Sequence, residues 1–332
     1  MRAVELQAFG GPEGLVLTDL PDPEPGPGQV CVDLVAAALN RRDWWIVRGG
    51  KAKLPVVLGS DGAGVVSAVG PGVNGVVAED EVVIYPAYGW GDREDAPGPD
   101  FGIVGVPGQG TYAERIVVGA EHVRPRPPGW SWLEAAALPV AGLTSWRALV
   151  THGEAGPGTT VLVPGAGGGV AVFAVQMARA LGARVLVTTS SPEKLERAVA
   201  LGAEGGADYR DPDWPEQLAP VDVIVDSVGG AVWEGAFRCL RPGGRLVTFG
   251  DTEGEVGEGN IAHLFFGHFR IQGTTCGSPR EFDALLAHCA GAAWRPVIDS
   301  VFPLADAAGA HARLDARDRF GKVVLAIDES RI

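Results

Sequence analysis

Residues 161–187 read VLVPGAGGGVAVFAVQMARALGARVLV, and this stretch decides the fold class. An apolar strand ends near Val163, a glycine-rich turn follows, and an apolar helix over 168–181 leads into a second apolar strand. Glycine lets a backbone approach a pyrophosphate closely, and a helix N-terminus offers unpaired N–H groups and the positive end of its dipole. A strict G-x-G-x-x-G is absent, but a close variant stands in the right strand–turn–helix context. The turn residues predicted to approach the diphosphate of a dinucleotide are Gly165 and Gly168.

The chain on the two sides of this turn follows two different rhythms. Before about residue 127, short apolar runs are separated by Gly and Pro clusters such as PDPEPGPG (21–28), which is typical of an antiparallel, barrel-like β domain. From about residue 131, apolar strands alternate with helices, among them 192–201 and 231–240, which indicates βαβ units and a parallel sheet. The predicted fold class is therefore α/β, with a β-barrel domain and a doubly wound parallel-sheet domain.

Length, charge and cysteine content exclude several classes of protein. A chain of 332 residues is too long for one ordinary core, so two domains are expected. The net charge of −14 repels phosphate backbones and anionic lipid, so neither nucleic acid nor a membrane is an expected partner. The four cysteines show no CxxC spacing, and no stretch has the pattern of a signal peptide or a membrane span. We therefore expect a cytoplasmic protein with reduced thiols.

The second strand of the βαβ unit indicates which dinucleotide is bound. NAD sites place a carboxylate at the end of this strand, where it accepts hydrogen bonds from the ribose hydroxyls. Here the strand ends in TTSSPEK (188–194), with no acid at its tip; Ser190 and Ser191 can donate to a 2′-phosphate, and Lys194 can neutralise it. Ser191 can also simply cap the helix that follows, and the two roles are compatible. The pattern favours NADPH over NADH, with Glu193 as a mild counter-signal.

The polar cluster in LNRRDWW (39–45) directly follows an apolar strand and has two interpretations. Asn40 as N-cap, with Asp43 three positions later, would satisfy the unpaired N–H groups at a helix start. Polar groups at a strand end beside two tryptophans are also consistent with the mouth of a pocket. The residues of this stretch leave both interpretations open.

Together with further segments, these stretches resemble the medium-chain dehydrogenase/reductase superfamily, and most of all its zinc-free quinone oxidoreductase branch, the zeta-crystallin-like proteins. The resemblance covers nearly the whole chain and rests on the order and spacing of segments that include AAALNRRDWW (36–45), LGSDGAGVVSAVGPGV (58–73), WLEAAALPVAGLTSWRAL (132–149), DSVGG (226–230) and GKVVLAI (321–327). It implies a GroES-like β-barrel catalytic domain, made from both ends of the chain, around a Rossmann cofactor domain. The implied divisions are 1–127, 128–272 and 273–332.

Residue by residue, the resemblance also implies a set of cofactor contacts. Gly168, Gly169 and Val170 match the turn that holds the diphosphate. Asn40 and Thr144 would lie near the nicotinamide, and Lys322 would be a basic residue near the cofactor. The residues that match positions holding the 2′-phosphate and adenosine in NADPH-using relatives are Ser190, Lys194 and Tyr209. The residues that match positions beside the nicotinamide, its ribose and its carboxamide are Ser227, Phe249, Gly250, Thr275 and Gly277.

The same resemblance implies a site without metal. Zinc-dependent relatives hold their catalytic metal with Cys, His and Cys, and these positions correspond here to Asn40, Ser60 and Val140, with the acid Asp61 beside them. Zinc-dependent relatives also carry a four-cysteine lobe, of which residues 87–110 look like a shortened, cysteine-free remnant. The aromatic residues of this remnant either pack onto the β domain, or the remnant is mobile and lies over the pocket.

Without a metal, hydrogen-bond donors must stabilise charge on the substrate oxygen, which suits quinones and α,β-unsaturated carbonyls better than simple alcohols. The expected function is NADPH-dependent, zinc-independent hydride transfer to such a small molecule. The catalytic candidates are Asn40, Asp43, Trp45 and Tyr85, with Trp45 at a position where many relatives have tyrosine. Two alternatives stay open: an NADPH-binding protein with a structural or regulatory role, and an alcohol or aldehyde dehydrogenase of the same superfamily. A homodimer paired at a sheet edge is also expected.

Overall fold

In this computed structural model, which describes residues 1–218, 220–230, 232–254 and 261–332, the chain divides into two compact units. Unit 1 comprises Met1–Val140 and Gly277–Ile332, and unit 2 comprises Ala141–Cys276. The first division therefore falls after residue 140, whereas the sequence places it after residue 127. The reason is the helix Trp132–Ala137, which packs against the strands of unit 1 and so belongs to it.

The first part of unit 1 is a series of short strands joined by Gly- and Pro-rich turns. Its strands are β1 (Arg2–Leu6), β2 (Leu15–Asp19), β3 (Gln29–Ala38), β4 (Val56–Val57), β5 (Asp61–Val69), β6 (Glu81–Ile84), β7 (Ala87–Tyr88), β8 (Gly102–Ile103), β9 (Arg115–Gly119) and β10 (Val123–Pro125). Its helices are α1 (Arg41–Val47) and α2 (Trp132–Ala137). Strand β3 is central, because it pairs antiparallel with both β5 and β9. Gly64 permits the close approach of β5 to β3, since a Cβ there would lie 2.1 Å from the Asp33 carbonyl oxygen.

Unit 2 is built on a parallel sheet, as the alternation of apolar strands and helices predicts. Its strands are β11 (Thr160–Pro164), β12 (Arg184–Thr188), β13 (Gly205–Ala207), β14 (Val221–Asp226), β15 (Leu240–Thr248) and β16 (Arg270–Gly273). Its helices are α3 (Pro139–Trp146, which begins at the unit boundary), α4 (Gly169–Ala180), α5 (Pro192–Ala200), α6 (Trp214–Leu218), α7 (Val232–Cys239) and α8 (Ile261–Phe266). Within the described residues the strand order is β13–β12–β11–β14–β15–β16. The helices predicted at 168–181 and 192–201 are present as 169–180 and 192–200. The helix predicted at 231–240 is present as 232–239, since residue 231 lies outside the described residues and Leu240 already begins β15.

The chain then returns to unit 1 and completes its main sheet. The elements of the return are α9 (Pro279–Ala290), β17 (Ile298–Pro303), α10 (Ala307–Asp315) and β18 (Lys322–Ala326). Strand β18 pairs antiparallel with β3 and parallel with β17. Because this register aligns Val324 with Ala38, the first residue of β18, Lys322, comes to lie beside Asn40, just past the end of β3. On the other side of β3, Asp61 at the start of β5 also pairs with Ala38.

The cysteines lie in the interior of the fold, and the helices of the described residues are short. All four cysteines are buried. Burial raises the pKa of Cys239 and of Cys289 to about 12, so both thiols stay protonated and unreactive at neutral pH. Among the helices of the described residues, none is both long enough and apolar enough to cross a bilayer.

Candidate functional site

In unit 2, the residues predicted to bind the cofactor gather at one edge of the parallel sheet. The carboxyl ends of parallel strands share an edge, and this is where open α/β sheets bind their ligands. The predicted residues follow the strand ends in turn: Gly165 after β11, Ser190 and Ser191 after β12, Tyr209 after β13, Ser227 after β14, Phe249 and Gly250 after β15, and Thr275 after β16. The fold therefore brings together residues that are scattered over more than a hundred positions of the sequence.

The turn after β11 has a backbone that only glycine adopts easily. Gly165 has a φ of +70°, and the N–H groups of Gly165 and Ala166 each donate to the Thr188 carbonyl oxygen at 3.1 Å. Gly168 is the N-cap of α4, and a Cβ added to it would find no atom nearer than 3.7 Å. The first turn of a helix leaves its N–H groups unpaired along the chain. This arrangement fits the diphosphate of a dinucleotide.

At the end of β12, hydroxyl groups stand where an NAD site has a carboxylate. Ser190 Oγ and Tyr209 Oη lie 2.8 Å apart. Ser191 is the N-cap of α5, since its Oγ accepts a hydrogen bond from the Lys194 N–H at 3.3 Å, and the capping interpretation is confirmed. Its hydroxyl also donates to Glu193 at 2.6 Å, which lowers the pKa of that carboxyl. Ser190 and Tyr209 thus form the hydroxyl pair at this tip.

Asp226, which sequence reasoning missed, holds the loop that carries Ser227. Its carboxylate accepts hydrogen bonds from the Val228 N–H at 2.8 Å and from the Trp233 indole N–H at 2.9 Å. Burial raises the pKa of Asp226, and these donors oppose the rise. The signal in the sequence was an acid at the end of the apolar strand VDVIVD (221–226), where an unpaired charge would be costly.

Two further predicted residues lie close to the points where the chain passes from one unit to the other. Thr144 is buried on α3, and the neighbouring Ser145 Oγ lies 2.9 Å from the Val170 carbonyl oxygen, which ties α3 to the first turn of α4. Gly277 is the first residue of the return to unit 1, where its carbonyl oxygen accepts a hydrogen bond from Tyr85 Oη at 2.8 Å.

In unit 1, three neighbouring strands bring polar side chains into contact, and we call Asn40, Asp61 and Lys322 the lysine cluster. Lys322 Nζ donates to Asn40 Oδ1 at 2.7 Å, to the Leu39 carbonyl oxygen at 2.8 Å and to Asp61 Oδ2 at 2.9 Å. Asn40 Nδ2 donates to the same Asp61 oxygen at 2.9 Å, and the Val140 N–H donates to the other at 2.7 Å. The side chains of Lys322 and Asp61 are 2% and 0% exposed, so the cluster contains a buried ion pair. Burial raises the pKa of Asp61, and the ammonium opposes that rise.

The ammonium of Lys322 is fully engaged within unit 1. A protonated lysine carries three N–H donors, and each of them has one of the three oxygens as its acceptor. The cofactor contact that the resemblance implies for Lys322 would require one of these bonds to break. The geometry therefore assigns Lys322 to the Asn40 and Asp61 side chains.

Asp43 supports the start of α1 from the interior. Its Oδ2 accepts hydrogen bonds from the Asn40 N–H at 2.9 Å and from Tyr112 Oη at 3.2 Å, so the predicted helix start is present. The side chain has no exposed surface, and burial raises its pKa. Arg42 lies 3.8 Å from the other carboxylate oxygen and donates to Ser60 Oγ at 2.9 Å. A carboxylate buried in this way positions Asn40, and it has no surface with which to contact a substrate.

The two aromatic catalytic candidates differ sharply in exposure. Tyr85 is 2% exposed, and its hydroxyl donates a hydrogen bond to the Gly277 carbonyl oxygen. Trp45 is 45% exposed and packs edge-on against Trp44, with ring centroids 4.8 Å apart. The Arg41 guanidinium lies over the Trp44 ring at 3.8 Å. Trp45 therefore offers apolar surface, whereas Tyr85 serves the packing of unit 1.

Both parts of the chain match known families. Residues 26–128 match the alcohol dehydrogenase GroES-like domain, and residues 169–291 match the zinc-binding dehydrogenase domain. A quinone oxidoreductase of Pseudomonas aeruginosa is 35% identical to this chain, and the match covers 98% of this chain and 99% of that protein. The chain belongs to the medium-chain dehydrogenase/reductase superfamily. It is an oxidoreductase with a GroES-like domain and a Rossmann-type sheet.

Other similar proteins of the superfamily carry different descriptions. The zinc-type alcohol dehydrogenase-like protein YogA of Leptosphaeria maculans is 34% identical, with 94% of each chain covered. Among solved structures, an NAD-dependent alcohol dehydrogenase superposes with a TM-score of 0.94 at 42% identity, covering 98% of this chain and 100% of that one. Medium-chain dehydrogenases/reductases bind NAD(P), and the glycine turn and hydroxyl pair of unit 2 fit such a cofactor.

In this medium-chain dehydrogenase/reductase, the residues at the positions that correspond to the zinc ligands of zinc-dependent relatives do not fit a metal ion. Zinc binds thiolate, imidazole or carboxylate, whereas Asn40, Ser60 and Val140 offer an amide, a hydroxyl and an alkyl group. Asn40 Oδ1 already accepts from Lys322, and Ser60 Oγ donates to the Val104 carbonyl oxygen at 2.6 Å. Over the described residues, no group of three or more His, Cys, Asp or Glu side chains is arranged to hold a metal.

The cysteine-free remnant at 87–110 is held to unit 1 by packing and hydrogen bonds. Strands β7 and β8 pair with each other, and Trp90 is 3% exposed and meets Phe101 edge-on at 5.6 Å. Glu94 accepts a hydrogen bond from Ser278 Oγ at 2.6 Å, at the start of α9. Of the two interpretations drawn from the sequence, the structure supports the packed one.

Proposed function

We propose that the chain is an NADPH-dependent, zinc-independent reductase of quinones or α,β-unsaturated carbonyls. The lysine cluster carries this proposal, because the Asn40 amide stands at a position where zinc-dependent relatives have a metal ligand, and the Lys322 ammonium is hydrogen-bonded to it. Quinones and enones suit such a site, since their own conjugation spreads the negative charge that arrives with hydride. The similarity to a quinone oxidoreductase over nearly the full length of both chains supports the same substrate class.

The chemistry assigned to unit 1 is the stabilisation of charge on oxygen. When bound, the nicotinamide would supply the hydride. With an enone the hydride would add to the β-carbon, the charge would move to the carbonyl oxygen, and water would protonate the α-carbon. Asn40 Nδ2 carries two hydrogens, of which one is bonded to Asp61 and the other has no partner among the described residues. That second hydrogen is the donor that we assign to the substrate oxygen.

Replacing Ser190 by aspartate is expected to weaken NADPH binding on the order of 10- to 100-fold, because a carboxylate beside Tyr209 would repel the 2′-phosphate. Binding of NADH should be unchanged or tighter. Titration of each cofactor against tryptophan fluorescence measures both constants. Ser67→Asp, an equal change at an exposed serine of β5, serves as the control and should alter neither. NADH binding more tightly than NADPH to the unaltered protein would overturn the cofactor assignment.

A substrate panel tests the reaction itself. Steady-state assays with NADPH should show reduction of 1,4-benzoquinone and of a simple enone, with little oxidation of primary or secondary alcohols by NADP⁺. Cofactor binding without turnover of any of these compounds would favour the structural or regulatory alternative.

A second candidate function is the NAD-dependent oxidation of alcohols. It is favoured by the 42% identity to a solved structure described as an NAD-dependent alcohol dehydrogenase. The lysine cluster argues against it, because alcohol oxidation needs an alkoxide that zinc normally creates. Alcohol oxidation with NAD⁺ as the fastest reaction of the panel would establish this alternative.

We also propose that the protein is a homodimer paired through β16. This strand ends the sheet of unit 2 among the described residues, all four of its residues are exposed, and Ile271 is 41% exposed. Ile271→Glu is expected to convert a dimer to a monomer in sedimentation velocity, because it places a charge on the pairing edge. Val301→Glu is the matched control, since Val301 is 44% exposed on the edge strand β17 of unit 1. A wild-type monomer, or a dimer unaffected by Ile271→Glu, would refute the proposal.

A further inference from the structure

The positions that correspond to metal ligands converge in the fold although none of them suits a metal. Asn40 and the Val140 N–H both contact the carboxylate of Asp61, at 2.9 and 2.7 Å. Ser60 precedes Asp61 directly in the chain and is fully buried. These positions thus gather around one carboxylate, and the oxygens of Leu39, Asn40 and Asp61 at this place suit a cation other than zinc.

The cation at this place is a side chain of the protein itself, the ammonium of Lys322. Leu39 O, Asn40 Oδ1 and Asp61 Oδ2 lie 2.7–2.9 Å from Lys322 Nζ, and these three oxygens match the three donors of an ammonium. They carry one formal negative charge, which balances one ammonium but not a divalent ion. The lysine side chain is 2% exposed, so the charge pair is shielded from water.

The ammonium also decides which way the Asn40 amide faces. Lys322 can only donate hydrogen bonds and the Asp61 carboxylate can only accept them, so the amide must turn Oδ1 to the first and Nδ2 to the second. If the Asn40 amide were flipped, Nδ2 would face the Lys322 ammonium, a donor against a donor, and Oδ1 would face the Asp61 carboxylate, an acceptor against an acceptor. The second Nδ2 hydrogen is therefore held in one direction by the ion pair, and the amide cannot present its oxygen in place of that hydrogen.

We infer that Lys322 is the resident cation of this site: its ammonium takes the place of the metal of zinc-dependent relatives and fixes the Asn40 amide as a hydrogen-bond donor. Lys322 is thus a positioning residue that acts through Asn40. Its effect on turnover rests on the proposed reductase function, whereas the binding of a cation in its cradle of three oxygens does not.

The test is chemical rescue of Lys322→Ala by methylammonium chloride, in a buffer whose other cation is tetramethylammonium. The variant is expected to show a lower melting temperature and a kcat about 100-fold below wild type, with an unchanged Kd for NADPH. Methylammonium should raise the melting temperature saturably and restore part of kcat. Tetramethylammonium at equal ionic strength, which has no N–H donor, should do neither. Lys51→Ala, at an exposed lysine, should behave as wild type throughout.

Two results would overturn the inference: a melting temperature that does not respond to methylammonium, or a loss confined to NADPH affinity. If Lys322→Ala does not fold, the double variant Lys322→Met/Asp61→Asn removes both charges together and is expected to fold with kcat still about 100-fold lower. Wild-type kcat in that variant would contradict the role assigned to Lys322. If the wild-type protein reduces no substrate, the proposed function fails, and the melting temperatures still decide whether the cradle binds a cation.

Discussion

Asp61→Asn is expected to destabilise the folded chain by about 3–5 kcal/mol, because it leaves the Lys322 ammonium buried without its counter-charge. The new amide would keep the shape of the carboxylate, so little of this loss would come from packing. However, the amide nitrogen, which cannot accept a hydrogen bond, would replace one of the two carboxylate oxygens. It would face either the donors of Lys322 and Asn40 or the Val140 N–H. Urea unfolding at pH 7, followed by tryptophan fluorescence, measures the loss.

The matched control for Asp61→Asn is Glu204→Gln. Glu204 pairs with Arg184 at a similar distance of 2.9 Å, but both side chains are about half exposed, so its removal should leave the unfolding midpoint nearly unchanged. Equal effects of the two substitutions would show that the buried pair does not hold the site together in the way described.

Asn40→Ala is expected to reduce kcat for an enone or quinone by about 10²–10³-fold, the effect typical of losing one donor to a developing oxyanion. The Kd for NADPH should change little, because the assigned role of Asn40 is toward the substrate oxygen. Stopped-flow kinetics under single-turnover conditions separates the hydride-transfer rate from product release.

Asn74→Ala is the control for this prediction. The Asn74 amide lies on an exposed turn and donates to the Gly72 carbonyl oxygen at 3.3 Å, so its loss should not alter turnover. A hydride-transfer rate in Asn40→Ala equal to that of wild type would remove Asn40 from the catalytic candidates.

Sequence reasoning succeeded where short-range chemistry decides the structure. The turn at Gly165, the cap at Ser191 and the helix start at Asp43 depend on residues within a few positions of one another, and each is present as predicted. The parallel sheet was likewise predictable, because strands buried on both faces read as continuous apolar runs. The aromatic packing of the remnant at 87–110 was one of two alternatives that the sequence left open.

The lysine cluster could not be derived from local pattern, because it depends on strand register across the whole chain. Lys322 is 282 positions from Asn40, and only the antiparallel pairing of β18 with β3 brings their side chains together. The resemblance therefore suggested a cofactor contact for Lys322, whereas the register commits its ammonium to unit 1. Asp43 was expected at the reaction and lies wholly buried, since the capping bond that made it recognisable also turns it inward.

We propose that this medium-chain dehydrogenase/reductase transfers hydride at an ammonium-centred site without a metal. The most direct test is the rate of quinone and enone reduction by NADPH after exhaustive treatment with a chelator, with zinc in the same sample measured by plasma mass spectrometry. We expect full turnover with far less than one zinc per chain, and no gain on adding zinc. Turnover that disappears with the metal and returns in proportion to bound zinc would contradict the account.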